Sequence, residues 1–209
     1  MRDNGFSVYK QERTASTGLS SVIAILNSFH PISEGIRNFL EKHSYACSFE
    51  KGKFLLKAGD VCEDIYFIKK GVVRGFIKEG NKDITTWITA DNELVSSISA
   101  IDNREATREN VQAIEDCDML GMRYSDLEKL YIQFPEFNIV TRKLLQRYYQ
   151  DAEDRAFIVR LTNAEDKYEQ FLIRYSHLAN RVPLKYIASF LGITLETLSR
   201  VRKRLSSKR

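Results

Sequence analysis

The middle of the chain carries the pattern that most limits its fold. Between Phe49 and Met122, short runs of β-branched and aromatic residues alternate with turn sequences such as AGD at 58–60 and EGNKD at 79–83. The turn sequences follow one another at roughly 8–12 residues, a spacing typical of a small antiparallel sandwich or barrel. A doubly wound parallel sheet needs a helical crossover between strands, and these gaps leave no room for one.

Helical periodicity replaces the strand pattern on both sides of this region. Apolar residues recur every three or four positions from Ile23 to Leu40, with an interruption at Pro31. Two capping-box patterns predict helix starts after the barrel: Ser125 with Glu128, and Thr162 with Glu165. The expected fold class is therefore α+β, with a β-barrel first and helices after it.

The segment from Pro135 to Val159 predicts one long helix. Pro135 suits the first helical position, and no Gly or Pro follows it up to Val159. About 25 residues make a helix of nearly 40 Å, longer than a small barrel needs as a cover. We interpret it as a seam between two chains; the alternative is a helix packed only on its own barrel. The predicted seam residues are Phe137, Val140, Leu144, Tyr148, Ala152 and Val159.

The stretch IASFLGITLETLSRVRKRL at 187–205 predicts a helix-turn-helix. The inward-facing set is Ile187, Leu191, Ile193, Leu198 and Val201. Gly192 would make the turn, because a left-handed backbone conformation disfavours a side chain. Ala188 is small, as expected where the second helix crosses close to the first.

The outward face of the second helix consists of hydrogen-bonding side chains and fits a DNA major groove. Arg200 can donate two parallel hydrogen bonds to a guanine edge, and Glu196 can accept one from a cytosine amino group. The predicted phosphate contacts are Thr194, Thr197, Ser199, Arg202 and Lys203. The alternative is an ordinary surface helix with a solvated charged face.

Charge is distributed unevenly along the chain. Residues 181–209 contain eight Lys or Arg and one acidic residue, a net charge of +7. The other 180 residues contain 24 basic and 27 acidic residues, a net charge of −3, so that the whole chain carries +4. This division favours contact between the basic end and a polyanion.

The sequence offers no pattern for a catalytic or metal site. Cys47, Cys62 and Cys117 are isolated thiols without the paired spacing of a disulfide framework or a zinc site, and the three His are scattered. We therefore expect half-buried structural cysteines, no metal, no cofactor and no enzymatic activity. The longest early apolar run, 22–26, is too short for a signal peptide or a membrane span, so we expect a cytoplasmic protein without membrane contact.

Several stretches along the chain resemble one known family. They are KGKFLLKAGDVCEDIYFIKKGVVRGF at 51–76, VQAIEDCDMLGM at 111–122, LEKLYIQFPEF at 127–137 and the motif at 187–205. They resemble, in turn, the sensor barrel, its last strands, the approach to the dimer helix and the DNA-reading motif of the cyclic-AMP receptor protein/FNR superfamily of bacterial transcription regulators. The resemblance implies an eight-stranded jelly roll, a long dimerisation helix and a winged-helix DNA-binding domain.

The same resemblance implies roles and partners. It places Glu196 and Arg200 at base-reading positions, and Leu195 at a further one that is often Arg. Leu195 could touch a thymine methyl group, so we expect a half-site different from the best-known one. The implied partners are double-stranded DNA, a second copy of the chain and RNA polymerase. The chain ends a few residues after the reading helix, so we expect a wing that is reduced or supplied by strands elsewhere.

The resemblance fails where nucleotide-binding members hold the cyclic phosphate. The expected Gly-Glu pair is replaced by Ser96 and Ser97, and the phosphate-binding Arg by Thr107. Arg108 is one residue further along, and a one-residue step along a strand reverses the side chain's direction. An unpaired cyclic phosphate in a closed pocket would be costly. We therefore expect that cyclic AMP is not the effector; the candidate effector pocket is Ser96, Ser97, Arg104, Thr107 and Arg108.

The predicted organisation has four parts. We expect residues 1–20 to form a flexible extension, 21–134 a sensor barrel with flanking helices, 135–160 the dimerisation helix, and 161–209 the helix-turn-helix DNA-binding domain. One rival is a small-molecule-sensing barrel, still able to take a cyclic nucleotide, whose basic end contacts RNA or an acidic protein. A cupin-type enzyme is a weak rival, because no His lies between Cys47 and Cys117 to serve as a metal ligand.

Overall fold

The computed structural model describes residues 19–97 and 105–207. Its strands are β1 (Ser44–Phe49), β2 (Phe54–Leu56), β3 (Asp64–Lys70), β4 (Val72–Glu79), β5 (Lys82–Ala90), β6 (Leu94–Val95), β7 (Asn110–Ala113) and β8 (Cys117–Arg123). Its α-helices are α1 (Leu19–Phe29), α2 (Glu34–His43), α3 (Tyr124–Gln133), α4 (Phe137–Arg160), α5 (Ala164–Arg174), α6 (Leu184–Leu191) and α7 (Leu195–Ser206), with a 3₁₀ turn at Ser176–Leu178.

The strands form two four-stranded sheets, in the orders β1-β8-β3-β6 and β2-β7-β4-β5. The strand pairs within them are antiparallel. Alternate residues of each strand face the other sheet, as Tyr66 and Ile68 of β3 do, and meet side chains such as Val73 and Val111 in the barrel core. The predicted antiparallel sandwich or barrel is therefore confirmed.

Helices cover the outer face of the first sheet. Pro31 separates α1 from α2, as the sequence predicted, and Ser33 caps α2 by accepting a hydrogen bond from the backbone N–H of Ile36. Ile36, Leu130 and Val140 bring α2, α3 and the start of α4 into one buried cluster with α1 and the sheet. This cluster fixes the beginning of α4 against the barrel.

The C-terminal helices cover the outer face of the second sheet. Val72 and Ile88 of this sheet share one buried cluster with Phe171 of α5, Ile187 of α6 and Leu198 of α7. The end of α4 enters the same cluster through Ile158, which is fully buried. The apolar core is thus continuous between the barrel and the last three helices.

Two helix starts differ from the predicted capping boxes. Helix α3 begins one residue before Ser125, and Arg123 occupies its N-cap without a side-chain hydrogen bond to the helix. Helix α5 is capped by Asn163, whose side chain accepts from the backbone N–H of Glu165, so Thr162 is not its cap. Both capping-box predictions were wrong, because Asn163 competes for the cap one position later and strand β8 leads directly into α3.

No strand lies between residues 124 and 207, so the wing implied by the resemblance has no counterpart in that part of the chain. Of the predicted N-terminal extension, residues 1–18 lie outside the described residues, and Leu19 and Ser20 already belong to α1. Within the described ranges, no helix combines the length and the apolar character needed to cross a membrane.

Candidate nucleic-acid interface and sensor pocket

Helices α6 and α7 are joined by a tight turn at Gly192. This glycine has φ +64° and ψ 36°, the left-handed conformation that the sequence predicted. The backbone N–H of Ile193 then closes the turn on the carbonyl of Ala188, at 3.0 Å. The predicted inward residues are buried as expected, with Ile193 half-buried, and Ala188 is only 2% exposed.

A buried lysine holds this turn from below. The ammonium group of Lys167, on α5, donates to the carbonyl oxygen of Leu191 at 2.9 Å. Leu191 is the last residue of α6. A cation at this end of a helix interacts favourably with the free carbonyl group and with the negative end of the helix dipole. Sequence reasoning missed Lys167, although its four-residue step from Asn163 and to Phe171 places it on the core side of α5.

The predicted base-reading residues share the solvent face of α7. Leu195 is 43% exposed, and Glu196 and Arg200 are also exposed. Hydrogen bonds from its own backbone N–H and from the Thr194 hydroxyl hold the pKa of Glu196 below its usual range. Glu196 is therefore a carboxylate at neutral pH, which can accept but not donate.

The predicted phosphate contacts divide into two groups. Ser199 and Lys203 are exposed, whereas Arg202 is half-buried. Thr194 caps α7 by accepting from the backbone N–H of Thr197 at 3.1 Å, and the two threonine hydroxyls lie 3.0 Å apart. Both hydroxyl groups are therefore already engaged in holding the first turn of the helix.

The candidate effector pocket is assembled only in part. The hydroxyls of Ser97 and Thr107 lie 3.0 Å apart, and both side chains are 4% exposed. Ser96 is half-buried with its hydroxyl 3.6 Å from the Cys62 thiol. Thr107 is buried and Arg108 is exposed, so the structure does not bring their side chains together. Both residues precede β7, so strand alternation, the predicted cause, does not apply to them. Arg104 lies outside the described residues.

Glu109, two residues after Thr107, was missed by sequence reasoning. The backbone N–H of Glu109 donates to the Thr107 hydroxyl at 3.1 Å. The Glu109 side chain accepts from the Thr86 hydroxyl and, at 2.9 Å, from the indole N–H of Trp87. Trp87 packs against the barrel core, close against Gly75, where an added side chain would overlap its ring. The available signal was the two-residue step from Glu109 to the core residue Val111.

A second carboxylate lies at the start of β3. Asp64 accepts a hydrogen bond from Tyr45 and lies 3.4 Å from the guanidinium Nε of Arg123. Burial raises the pKa of Asp64, and the hydrogen bond and the nearby cation offset only part of this effect. Burial also raises the pKa of Tyr45, so its hydroxyl stays a donor. Asp64 and Glu109 are thus two carboxylates with defined hydrogen-bond partners that sequence reasoning did not single out.

The three cysteines are free, and they are buried where the sequence predicted half-buried side chains. Burial raises the pKa of Cys47 and that of Cys117 to about 12 in each case, so both remain protonated thiols. No group of three or more His, Cys, Asp or Glu side chains suited to a metal occurs among the residues with a described placement.

The predicted seam residues of α4 mostly face the chain's own barrel. Phe137, Val140 and Leu144 are buried, the first two in the cluster with α1, α2 and α3. The hydroxyl of Tyr148 accepts from the backbone N–H of Leu94 at 2.9 Å and donates to Glu93. As seam residues these four were wrong, because the short helices before and after the barrel already cover this side of α4.

A different apolar stripe on α4 faces solvent. Leu145 is 55% exposed, Tyr149 66% and Val159 43%, and Ala152 and Ala156 are half-buried between them. These five residues follow one another at steps of four, three, four and three, which is the heptad pattern of a coiled-coil seam. Ala152 and Val159, both predicted for the seam, belong to this stripe.

Comparisons with known proteins agree with this architecture. Residues 46–134 match the family model described as "Cyclic nucleotide-binding domain". The transcriptional activator protein Anr of Pseudomonas protegens is 25% identical over 164 residues, covering 73% of this chain and 66% of Anr. The fumarate and nitrate reduction regulatory protein of Yersinia pestis is 27% identical over 165 residues, covering 73% and 65%. The aligned part spans slightly less than two thirds of either relative.

Two solved structures share the fold over most of the chain. A mutant of CooA from Carboxydothermus hydrogenoformans has a TM-score of 0.67 at 19% identity, covering 92% of this chain and 86% of CooA. FixK2 from Bradyrhizobium japonicum has a TM-score of 0.66 at 21% identity, covering 79% and 85%.

Fold and site together define a protein with a barrel of the cyclic nucleotide-binding type, extended by a long helix and by two helices joined at a glycine turn. Residues 46–134 belong to the cyclic nucleotide-binding domain family. The similarity to Anr and to the fumarate and nitrate reduction regulatory protein supports the resemblance to the Crp/Fnr superfamily that was seen in the sequence.

Proposed function

We propose that this protein is a DNA-binding transcriptional regulator and not an enzyme. One observation carries the proposal: α7 buries Leu198 and Val201 on one face and presents Glu196 and Arg200 on the other, at the end of the chain that holds its excess of positive charge. A solvated surface helix would need neither the left-handed glycine nor the buried lysine that fix α7 against α6. The regulators among its relatives support the same function.

DNA reading is assigned to three side chains on α7. Arg200 can donate two parallel hydrogen bonds to a base edge, and Glu196 can accept one. Leu195 can make an apolar contact with a thymine methyl group. Ser199 and Lys203 are free to contact phosphates, whereas Thr194 and Thr197 serve mainly to build the helix start. Arg202, which is half-buried, would need to extend to reach the backbone.

The regulator is proposed to act as a homodimer on a palindromic site. The exposed stripe of Leu145, Tyr149, Ala152, Ala156 and Val159 suits a second copy of the same helix, because its members repeat with the heptad pattern. Helix-turn-helix dimers read half-sites about 34 Å apart, one turn of DNA. RNA polymerase is proposed as a further partner on the family relation alone.

The barrel is proposed not to bind cyclic AMP tightly. Thr107 stands where nucleotide-binding relatives place an Arg, and its hydroxyl is already paired with that of Ser97. The other described contacts of the Thr107 hydroxyl are with the backbone of Glu109, and Arg108 is exposed. A phosphate there would lose its hydration without gaining a cation, a cost of several kcal/mol.

Selection from randomised duplexes tests the function. The native protein is expected to enrich a palindrome, and Arg200→Ala to relax one position in each half-site at a cost of roughly 1–3 kcal/mol per site. Lys129→Ala, on α3 and paired with Asp126, is the control and should select the native sequence. Failure of the native protein to enrich any duplex, or preferential binding to single-stranded RNA, would contradict the proposal.

A further inference from the structure

The face of α6 that points away from α7 is not free but lies against the barrel. Ile187, Ala188 and Leu191 are buried in the cluster that joins α5, α6 and α7. Tyr186 and Ser189 instead contact strands β4 and β5 of the second sheet. The helix-turn-helix is thus supported by the barrel through α6.

Ser189 completes the hydrogen bonding of an edge strand. β5 is the last strand of its sheet, so within residues 19–97 and 105–207 one of its sides has no neighbouring strand. The Ser189 hydroxyl accepts from the backbone N–H of Thr85 at 2.9 Å and donates to the carbonyl of Asp83 at 3.0 Å. One hydroxyl therefore satisfies a donor and an acceptor that a neighbouring strand would otherwise satisfy.

Arg74 stacks between the barrel and α6. Its guanidinium lies 3.9 Å from the ring centres of Phe76, on its own strand β4, and of Tyr186, on α6. The group also donates to Asp83 at 2.8 Å and to Gln112 at 2.9 Å, and the Arg74 side chain is only 3% exposed. A buried guanidinium with these partners fixes its neighbours, because displacing one leaves a desolvated charge.

Arg181 makes a third connection, just before α6. It donates to Asp91, at the end of β5, and at 2.7 Å to Glu115, before β8. Burial alone would raise the pKa of Asp91, but hydrogen bonds from Arg181 and from the backbone N–H of Gly71 bring it below its usual range. This pair of contacts ties the entry of α6 to two separate barrel loops.

We propose that the β4–β5 hairpin is the fixed support of the helix-turn-helix, and that Arg74, Arg181 and Ser189 are positioning residues for DNA reading. The inference rests on the proposed function. It makes the barrel, α6 and α7 one rigid unit, so that the α4 seam alone sets the spacing between two reading helices. Loss of the support would let each reading helix swing independently while keeping its own fold.

Half-site spacing tests this directly. Removing two base pairs between half-sites turns one of them by roughly 70° about the DNA axis. A rigid dimer then cannot engage both half-sites, and loses about 100-fold in affinity. In Arg181→Ala/Ser189→Ala this loss is expected to shrink to less than about tenfold, since the freed units adapt to the altered spacing.

A matched double variant is available on the other sheet. Arg123, like Arg181, pairs with two carboxylates, Glu63 and Asp64, and Ser48 is an exposed serine of β1. Ser48→Ala/Arg123→Ala is expected to keep the native 100-fold discrimination. Native-like discrimination by Arg181→Ala/Ser189→Ala would overturn the inference. Absence of DNA binding by the native protein would instead contradict the proposed function.

A second measurement does not depend on DNA. Hydrogen exchange at the Thr85 amide should be slow in the native protein and at least about tenfold faster in Ser189→Ala, because the hydroxyl is its acceptor. Ser48→Ala should leave this amide unchanged. Equal Thr85 exchange in the native protein and Ser189→Ala would overturn the inference, whatever the DNA measurements give.

Discussion

The protonation of Asp64 couples the stability of the fold to pH. Its carboxyl group accepts from Tyr45 inside the barrel, and burial raises its pKa in the folded protein. A raised folded pKa means that the protonated form is favoured on folding. The stability linked to Asp64 is then complete below its unfolded pKa of about 3.9, and is lost as pH rises through the folded value.

We predict that the native protein gains stability relative to Asp64→Asn as pH falls from 7 towards 4.5. Each unit by which the pKa is raised corresponds to about 1.4 kcal/mol in this difference. Urea unfolding of both proteins across this range measures it, with Asp118→Asn, an exposed residue of β8, as the control. A difference that moves in the opposite direction would show that Asp64 is stabilised as a carboxylate.

At the scale of elements, α4 separates what the sequence could predict from what it could not. The helix and its length followed from the proline at 135 and from the absence of later breakers, and it spans 24 residues, Phe137–Arg160. Its two apolar stripes both follow three- and four-residue steps. Periodicity alone cannot say which stripe meets a partner, because that depends on where α1 and α3 pack.

The terminal helices were predicted more completely than the pocket. The motif at 187–205 is local, so the turn at Gly192 and the inward set could be derived from neighbouring residues. The contacts of Arg74 with Tyr186 and of Ser189 with Thr85 join residues more than 100 positions apart. No pattern in the sequence reports such pairs.

The exposed stripe of α4 yields a prediction about assembly. Tyr149→Glu is expected to weaken dimerisation by roughly 100-fold or more, because two carboxylates would face each other in an apolar seam. Sedimentation velocity over a concentration series measures the change. Gln146→Glu, exposed on the adjacent side of the helix, adds the same charge outside the stripe and should leave the dimer intact. Equal dissociation of both variants would exclude this stripe as the seam.

At the scale of the whole molecule, the uneven charge sets how binding depends on salt. Lys203 is exposed on α7, and a dimer presents it twice. Each phosphate contact contributes about −0.9 to the slope of log K against log salt. We predict that Lys203→Ala reduces the steepness of this slope by roughly 1.8 for specific duplex DNA.

Fluorescence anisotropy between low and moderate salt measures these slopes. Lys129→Ala removes the same charge from α3 and is expected to retain the native slope. If the Lys203→Ala slope equals the native one, Lys203 does not contact phosphate. The base-reading residues are tested separately, by the selection from randomised duplexes.

The interior of the barrel determines what the molecule can sense. The resemblance seen in the sequence implies a cation at the position of Thr107 in nucleotide-binding members of the family, and here the Thr107 hydroxyl is paired with that of Ser97. We predict no calorimetric binding of cyclic AMP or cyclic GMP below about 1 mM, a free energy weaker than roughly −4 kcal/mol. As a control, the same sample must bind duplex DNA in a salt-dependent way. This excludes an inactive preparation as the cause of the missing nucleotide binding. Micromolar binding that is lost in Arg104→Ala or Arg108→Ala would show that a neighbouring arginine supplies the missing cation, and the barrel would then be a nucleotide sensor after all.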